Sequence, residues 1–522
     1  MNNSAALLRT LVTYAICVPV ALTLGYIASR AAYSPNSSDL SVIGIFVLVL
    51  SIPFLLRWHH ILVVFCLLLP VTIFFLPGHP SIFLPIVGVS LGISLLQRAM
   101  NPERHFIRAP EITRPLLFFL AVIFFTAKLT GGIGLHSMGS EVMGGKKYIT
   151  LFAGILAYFA LTARTVPPER AWIYLVVYFV GGAFMIVGDT VSFMPAPLYF
   201  IYNFLPLNPY AFTGEASAGI LRLTGVGYAA TCFFSLMLAR YGVRGIFLSG
   251  KLWRPVVFLG LGGLVMAGGF RSQLFLCGLT CLILFFFVEK LHRTKLLPIF
   301  AFIGIFAITI SLPFAGRLPL SFQRAISFLP LDNLDPVAVQ SADATAEWRF
   351  AMWKAVLPQV PEYLLLGKGY ALSQEDFQEM GLGAKSISAA DWGAALAGDY
   401  HNGPLSVIIP FGIWGTLAVI WFFYAGARAL YKNYKNGDPT LQKINAFLFA
   451  AFLTKIASFL VIFGGISSDM QGFTGILGLS ICFNGGIKYR TATAPADKPA
   501  EHLGHRPPPR LHPALPTFSG RM

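Results

Sequence analysis

Charged residues are scarce in this sequence. They make up 11% of the 522 residues, whereas a soluble globular protein carries about 25%. Hydrophobic residues make up 56% of the chain, and the mean hydropathy is +0.70. No segment between the apolar runs has the composition of a soluble domain, which excludes a soluble enzyme or a soluble binding module.

Cysteine is also rare, and all six cysteines lie within apolar runs. No two form a Cys-x-x-Cys pair, so we expect neither a disulfide nor a metal site. The net charge of +16 would suggest a nucleic-acid partner in a soluble protein. Here the Lys and Arg residues collect in short loops between apolar runs, where they set the orientation of membrane helices. We therefore expect membrane lipids as partners, no nucleic acid and no cofactor.

Long apolar runs account for most of the chain. Runs of about 18 or more apolar residues recur, and each can cross a bilayer as a helix. The sequence predicts an all-α integral membrane protein with about 14 transmembrane helices. The approximate predicted spans are residues 7–28, 40–56, 60–77, 80–97, 115–132, 148–164, 170–188, 220–240, 254–270, 272–289, 296–313, 403–427, 444–464 and 472–487.

Basic residues alternate between successive loops, which predicts that both termini are cytoplasmic. The same topology places a large loop, about residues 314–402, outside the membrane, and we expect it to carry short amphipathic helices. Residues 1–490 then form one polytopic transmembrane domain. The tail, residues 491–522, is rich in Pro and Ala and is predicted to be disordered in the cytoplasm.

Three arginines on the predicted outer side are candidates for binding an anion. Arg271 lies in a tight turn between two apolar runs, where a charge must face protein, water or an anionic partner. Arg324 and Arg349 lie in the large outer loop. A guanidinium group can grip phosphate oxygens in a bidentate manner. Binding of ordinary lipid headgroups is the alternative interpretation of all three.

The residues around Arg349 have helical periodicity. Trp348, Met352 and Val356 recur every four residues, a pattern typical of an amphipathic helix at the membrane surface. Pro358 and Pro361 predict the end of this helix.

His401 is the candidate base. Asn402 is a plausible helix cap, and Pro404 suits the first turn of the apolar helix that follows. His401 is thus expected at a helix N-terminus, which favours a bound anion. On an ideal helix Gly412 and Gly415 would lie within about 40° of His401, so that another helix could pack against this stripe.

This spacing resembles a motif of the bacterial O-antigen ligases. His401-Asn402, nine residues, Gly412, two residues and Gly415 match the motif completely. The chain from about Arg222 to Gly415 resembles the superfamily that also contains Wzy-type polysaccharide polymerases. One departure is that Phe-Arg-Ser surrounds Arg271, where Ser-Arg-Gly is usual.

The resemblance implies a metal-independent glycosyltransferase of the GT-C type in the bacterial inner membrane. It would transfer a glycan from undecaprenyl pyrophosphate to an acceptor on the periplasmic face. His401 would be catalytic, and Arg271, Arg324, Arg349 and Asn402 would bind substrate. Arginines suit the charge of a pyrophosphate leaving group, and histidine suits activation of a hydroxyl near neutral pH.

Several alternatives remain open at this stage. The acceptor is lipid A–core for a ligase and another lipid-linked glycan for a Wzy-type polymerase. A transporter or flippase for the same lipid is a third candidate, although flippases favour internal repeats and charges deep in the membrane. Lys455 lies within a predicted span and must face a cavity or pair with a carboxylate. Asp399 or Glu347 could orient the ring of His401.

Overall fold

The secondary structure of the protein is helical. The computed structural model describes residues 22–23, 25–27, 29–30, 37–74, 76, 78–103, 105–131, 145–205, 219–294, 296–371 and 398–489. Within these ranges the one β pairing is an isolated antiparallel bridge between Thr72 and Ser81. The first predicted span and the C-terminal tail lie mostly or wholly outside the described residues.

The described residues of the first part of the chain form nine α-helices. They are α1 (Ser37–Cys66), α2 (Phe83–Met100), α3 (Pro110–Thr130), α4 (Gly145–Thr162), α5 (Pro168–Ala183), α6 (Met185–Val191), α7 (Thr224–Phe247), α8 (Trp253–Met266) and α9 (Arg271–Ile283). A π-helical turn, Leu284–Val288, continues α9, and a 3-10 helix covers Ala196–Asn203.

Seven further α-helices follow among the residues that the structure describes. They are α10 (Leu296–Ser311), α11 (Leu320–Ile326), α12 (Pro336–Val356), α13 (Gln359–Glu362), α14 (Gly403–Asn436), α15 (Gln442–Ala457) and α16 (Ile466–Asn484). A π-helical turn, Ser458–Ile462, continues α15. Helices α11 to α13 lie within residues 314–402, and the placement of this segment outside the membrane stays a prediction.

Seven helical segments among the described residues are long and apolar enough to cross a membrane. These segments are Phe83–Met100, Pro110–Thr130, Pro168–Val191, Thr224–Phe247, Arg271–Val288, Gly403–Asn436 and Pro439–Ile462. Leu50–Cys66 and Trp253–Met266 are shorter apolar helices. The protein is thus an all-helical integral membrane protein, as predicted, while the number of 14 spans stays a prediction.

One predicted connection is wrong. The predicted spans 40–56 and 60–77 require a connection near Arg57, His59 and His60, but α1 runs through these residues. The histidines point at neighbouring helices. His59 Nδ1 lies 2.9 Å from Ser90 Oγ, and His60 Nε2 lies 2.9 Å from the Leu161 carbonyl oxygen. Polar side chains that find such partners can remain inside a helical bundle.

Helix α14 is central to the packing. It contacts α3, α15 and α16, while α16 also packs along α4. Phe422, Phe452 and Phe473 are fully buried between these helices. The ring of Phe473 meets those of Phe422 and Phe452 edge to face, an arrangement favoured by aromatic quadrupoles. This packing holds the part of α14 that follows Gly412 between α15 and α16.

Candidate active site

His401 directly precedes the cap of α14. The Asn402 side chain accepts a hydrogen bond from the N–H of Leu405 at 3.1 Å, so the predicted N-cap is confirmed. Pro404 lies in the first turn, also as predicted. His401 has φ = +49°, a left-handed conformation that is uncommon for residues other than glycine. The backbone is therefore held in a specific turn that orients the imidazole.

Two aromatic rings enclose the imidazole of His401. Its centroid lies 5.1 Å from that of Trp348 on α12 and 4.8 Å from that of Phe463, just after α15. The guanidinium carbon of Arg349 lies 5.4 Å from the same Phe463 ring. Two predicted site residues, His401 and Arg349, thus meet around Phe463, although Arg349 lies more than fifty residues earlier in the sequence.

The surroundings favour the neutral form of His401. Burial lowers the pKa of the imidazole, and the positive charges of Arg349 and Lys147 lower it further. The carboxylate of Asp399 acts in the opposite direction. Because only the neutral ring can accept a proton, the site is suited to a general base near neutral pH.

Asp399 is paired with a lysine from α4. Lys147 Nζ lies 2.9 Å from Asp399 Oδ1 and 5.7 Å from the centre of the Tyr370 ring. Glu347, the other carboxylate considered as a partner for His401, is exposed. Whether either carboxylate orients the histidine ring stays a prediction.

Helix α12 packs on the start of α14. Met352 and Val356 are buried against Tyr400, Leu405 and Ile409. Trp353 Nε1 donates a hydrogen bond to the Tyr400 carbonyl at 2.7 Å, one residue before His401. The apolar side of this helix, expected at the membrane surface, therefore faces protein. The helix ends at Val356, just before Pro358, as predicted.

Arg271 and Arg324 hold the earlier turns of α12. Arg271, the first residue of α9, donates to the Ala342 carbonyl. Ala342 and Arg349 are seven residues apart, which places them about 10 Å apart along one side of the helix. Arg271 is thus linked to the same helix side as Arg349.

Arg324 is 4% exposed. It donates to the Gly269 carbonyl at 2.6 Å, to Ser341 Oγ at 2.8 Å and to Thr345 Oγ1 at 2.9 Å. These contacts connect α11, α12 and the turn before Arg271. The predicted contact of Arg324 with substrate is not tested by this geometry, which assigns its donors to protein oxygens.

Sequence reasoning did not identify Arg222 as part of this arginine cluster. Arg222 is 2% exposed. Its Nε donates to the Gly268 carbonyl at 3.3 Å, and its guanidinium carbon lies 4.1 Å from the Phe270 ring. The sequence did contain a signal for Arg222. It lies at the predicted outer end of a span, where basic residues are uncommon.

Gly412 has a role different from the predicted one. Helix α14 breaks at Gly412, which has φ = +61° and ψ = −157°, so His401, Gly412 and Gly415 do not form one straight stripe. The irregular segment 364–369 packs into the break instead of a second helix. Lys368 N–H donates to the Ile409 carbonyl at 2.8 Å, and Ile413 N–H donates to the Leu364 carbonyl at 2.7 Å.

Close approach explains the glycines on both sides of this contact. A Cβ on Gly412 would lie 2.8 Å from the Leu364 carbonyl oxygen. A Cβ on Gly367 would overlap the Pro410 carbonyl, and Gly367 itself has φ = +79°. Gly367, in the turn Gly367-Lys368-Gly369, and Gly412 therefore allow these two backbone segments to pack directly against each other.

The partner of Lys455 is Asp469, in the first turn of α16. Lys455 Nζ lies 2.6 Å from Asp469 Oδ1, and Gly465 N–H donates to Asp469 Oδ2 at 3.0 Å. Of the two possibilities that the sequence left open, pairing with a carboxylate is therefore the one observed.

These features define a helical membrane protein in which His401 and Arg349 meet at the start of a long apolar helix. Residues 255–420 match the family model described as O-antigen ligase. This match covers 166 of the 522 residues, and within that segment it confirms the resemblance that the histidine motif indicated. The matched segment contains Arg271, Arg324, Arg349, His401 and Asn402. A search of curated proteins gave no significant match.

Proposed function

We propose that the protein transfers a glycan from undecaprenyl pyrophosphate to an acceptor hydroxyl on the periplasmic face of the bacterial inner membrane. The observation that carries this proposal is the meeting of His401 and Arg349 around Phe463. A base and a strong cation side by side are what a transfer with a pyrophosphate leaving group requires. The O-antigen ligase domain supports a lipid-linked glycan as donor.

In the proposed reaction the acceptor oxygen attacks the anomeric carbon of the glycan. His401 accepts the hydroxyl proton while the bond between that carbon and the pyrophosphate oxygen breaks. The leaving pyrophosphate gains negative charge, which Arg349 offsets, with Arg271 in support. The lowered pKa of His401 keeps the ring neutral before the step, and no metal ion is needed in this scheme.

Trp348 offers a further donor beside the base. Its Nε1 is buried and has no hydrogen-bond partner among the residues that the structure describes. Its ring contacts His401 at 5.1 Å. We assign this indole N–H to a substrate oxygen, since a buried donor without a partner is costly.

Arg324 supports the site indirectly in this proposal. Its donors are bound to Gly269, Ser341 and Thr345, so its role is to position α12 and with it Arg349. Asn402 likewise supports the site through the helix cap. The sequence-based prediction that both contact substrate is the competing view.

The test uses the purified full chain in lipid nanodiscs with an undecaprenyl-pyrophosphate-linked glycan and lipid A–core. We expect wild-type protein to form glycosylated lipid A–core in the presence of a chelator. His401→Gln and Arg349→Gln should each lose at least about a hundredfold in rate. Full transfer by both variants would refute the mechanism.

The same assay separates the alternatives. Lengthening of the donor glycan without lipid A–core would assign a Wzy-type polymerase. Movement of the donor across a vesicle bilayer, without formation of a new glycosidic bond, would assign a flippase.

A further inference from the structure

Two adjoining cavities lie at the end of the bundle opposite His401. Helix α4 begins at Gly145, two residues before Lys147, and helix α16 begins three residues after Phe463. The other end of α4, Thr162, lines the second cavity, and Cys482, near the end of α16, accepts a hydrogen bond from the segment that follows Arg164. The cavity volumes are about 300 and 350 Å³. Neither cavity lies in the segment that matches the O-antigen ligase family.

The walls of both cavities are basic. Arg98 and His105 line both, Arg164 lines the first and Arg108 lines the second. The residues that line the two cavities include no Asp or Glu. The first is lined by His59, Ser94, Gln97, Arg98, His105, Phe106, Ala163, Arg164 and Thr165. Arginines can grip phosphate oxygens through paired N–H donors.

The first cavity has a polar, buried floor. His59 is 5% exposed and Ser94 is 8% exposed. His59 Nδ1 lies 2.9 Å from Ser90 Oγ, and Ser94 Oγ donates to the Ser90 carbonyl at 2.8 Å. Arg98, Arg108 and Arg164 are themselves exposed, so a ligand can reach them from the solvent above this floor.

The loops that carry the basic side chains are fixed at their backbones. Ile107 N–H donates to the Thr162 carbonyl at 2.9 Å, and Val166 N–H donates to the Cys482 carbonyl at 2.9 Å. The segments around Arg108 and Arg164 are thereby tied to the ends of α4 and α16. A frame of this kind reduces the ordering cost of binding.

The second cavity supplies an apolar wall next to the basic one. Its lining includes Ile107, Ala109, Pro110 and Phe159. Phe106 is shared by both cavities. The arrangement is polar and cationic on one side and apolar on the other.

We propose that the two cavities form a second binding site, for a phosphate-bearing anion, held by Arg98, Arg164 and Arg108 above the His59–Ser94 floor. A phospholipid headgroup and a free phosphate or pyrophosphate ion share this chemistry. The site is separate from the proposed transfer reaction and does not depend on it.

The test measures ligand binding by the purified full chain, with no glycan donor present. One arm adds vesicles of phosphatidylglycerol, a second adds vesicles of phosphatidylcholine, and a third adds inorganic phosphate or pyrophosphate to protein in detergent. The readouts are the dissociation constant and the shift in Tm. We expect saturable binding of an anionic probe and weaker binding of phosphatidylcholine.

The arginine variants decide the outcome. Arg98→Gln and Arg164→Gln should each weaken the anionic probe by about tenfold or more, since a charge-assisted hydrogen bond contributes about 1.5–3 kcal/mol. Arg170→Gln is the matched control, because Arg170 is exposed near the same loop and lines neither cavity. Binding from vesicles alone identifies a headgroup, and binding of the soluble ions identifies a free phosphate.

Two results would overturn the proposal. One is equal affinity of the wild type, the Arg98→Gln variant and the Arg170→Gln variant for every anionic probe. The other is equal affinity for phosphatidylglycerol and phosphatidylcholine with no binding of soluble phosphate. If Arg98→Gln fails to fold, His105→Gln serves in its place, because His105 is exposed and lines both cavities.

Discussion

Lys147 Nζ lies 2.9 Å from Asp399 Oδ1. This ion pair joins the start of α4 to the turn that holds His401, two residues after Asp399. The side chain of Lys147 is 18% exposed, and that of Asp399 is 55% exposed. The N-terminal part of the chain, outside the family match, therefore contributes directly to the frame of the candidate active site.

Loss of this ion pair should change both the rate and the pH dependence of transfer. Lys147 lowers the pKa of His401, whereas Asp399 raises it. In Lys147→Ala one of the two nearby cations is gone, so the pKa of His401 should rise, while burial and Arg349 continue to lower it. We expect the acid limb of the pH–rate profile to move to higher pH and kcat to fall several-fold at pH 7, as measured in nanodiscs.

Lys146→Ala is the control for this variant, because Lys146 is the adjacent lysine and is not the residue that pairs with Asp399. Its pH profile should match the wild type. A Lys147→Ala profile that coincides with the wild type would show that the pair has no influence on His401.

The wild-type pH dependence is a separate prediction. Burial, followed by the charge of Arg349, lowers the pKa of His401 from its ordinary value of about 6.5. The base is therefore active above its lowered pKa and is lost as the pH falls through it. We expect kcat/KM to be constant from pH 7 upward and to decline only below about pH 6.5.

Arg349→Gln should raise the midpoint of the acid limb, because a nearby positive charge is removed. The residual activity of His401→Gln should show no such limb. A wild-type midpoint above pH 6.5 would contradict the assignment of a buried, neutral base.

Much of the candidate site could be predicted from the sequence, because its signals are local. The Asn402 cap and Pro404 are properties of a helix start, and the end of α12 follows from Pro358. The break at Gly412 could not be predicted from an ideal helical angle, since it depends on segment 364–369 filling the gap. The contacts of Arg271 and Arg324 with the carbonyls of Ala342 and Gly269 could not be predicted either. Every residue has a backbone carbonyl, so the sequence does not show which one accepts a hydrogen bond.

The break in α14 predicts a strong effect for Gly412→Ala. The combination φ = +61°, ψ = −157° is accessible only to glycine without strain, and the new Cβ would press on the carbonyls of Leu364 and Leu365. We expect a loss of roughly 2–4 kcal/mol in stability, measured as a lower Tm in detergent, together with lost activity.

Gly278→Ala is the matched control, because Gly278 lies in α9 and a Cβ there would have no neighbour within 4 Å. That substitution should leave the Tm unchanged or slightly raised, since alanine favours a helix over glycine. Equal Tm values for the two variants would contradict the packing described at Gly412.

The pair of Lys455 and Asp469 should behave as a coupled structural unit. Removing one partner leaves a charge within the bundle, so Lys455→Met and Asp469→Asn should each lower the Tm. The side chains are 28% and 21% exposed, so solvent screening should keep each loss to about 1–3 kcal/mol. The double variant should be more stable than the sum of the two losses predicts. Strictly additive losses would argue against a direct interaction.

Variants can distinguish whether Arg324 contacts the substrate or only positions α12. The double variant Ser341→Ala/Thr345→Val removes two acceptors of Arg324 and leaves its charge in place. If Arg324 acts through α12, this variant should lose part of the activity that Arg324→Met loses. Both variants should then lower kcat and Tm together, with little change in the KM for the lipid-linked donor. Full activity of the double variant beside an inactive, stably folded Arg324→Met would instead favour direct contact between Arg324 and the pyrophosphate. Arg349→Gln provides the reference for a cation that contacts the substrate, because it should lower activity without lowering the Tm. Arg324→Met should lower both if Arg324 only positions α12.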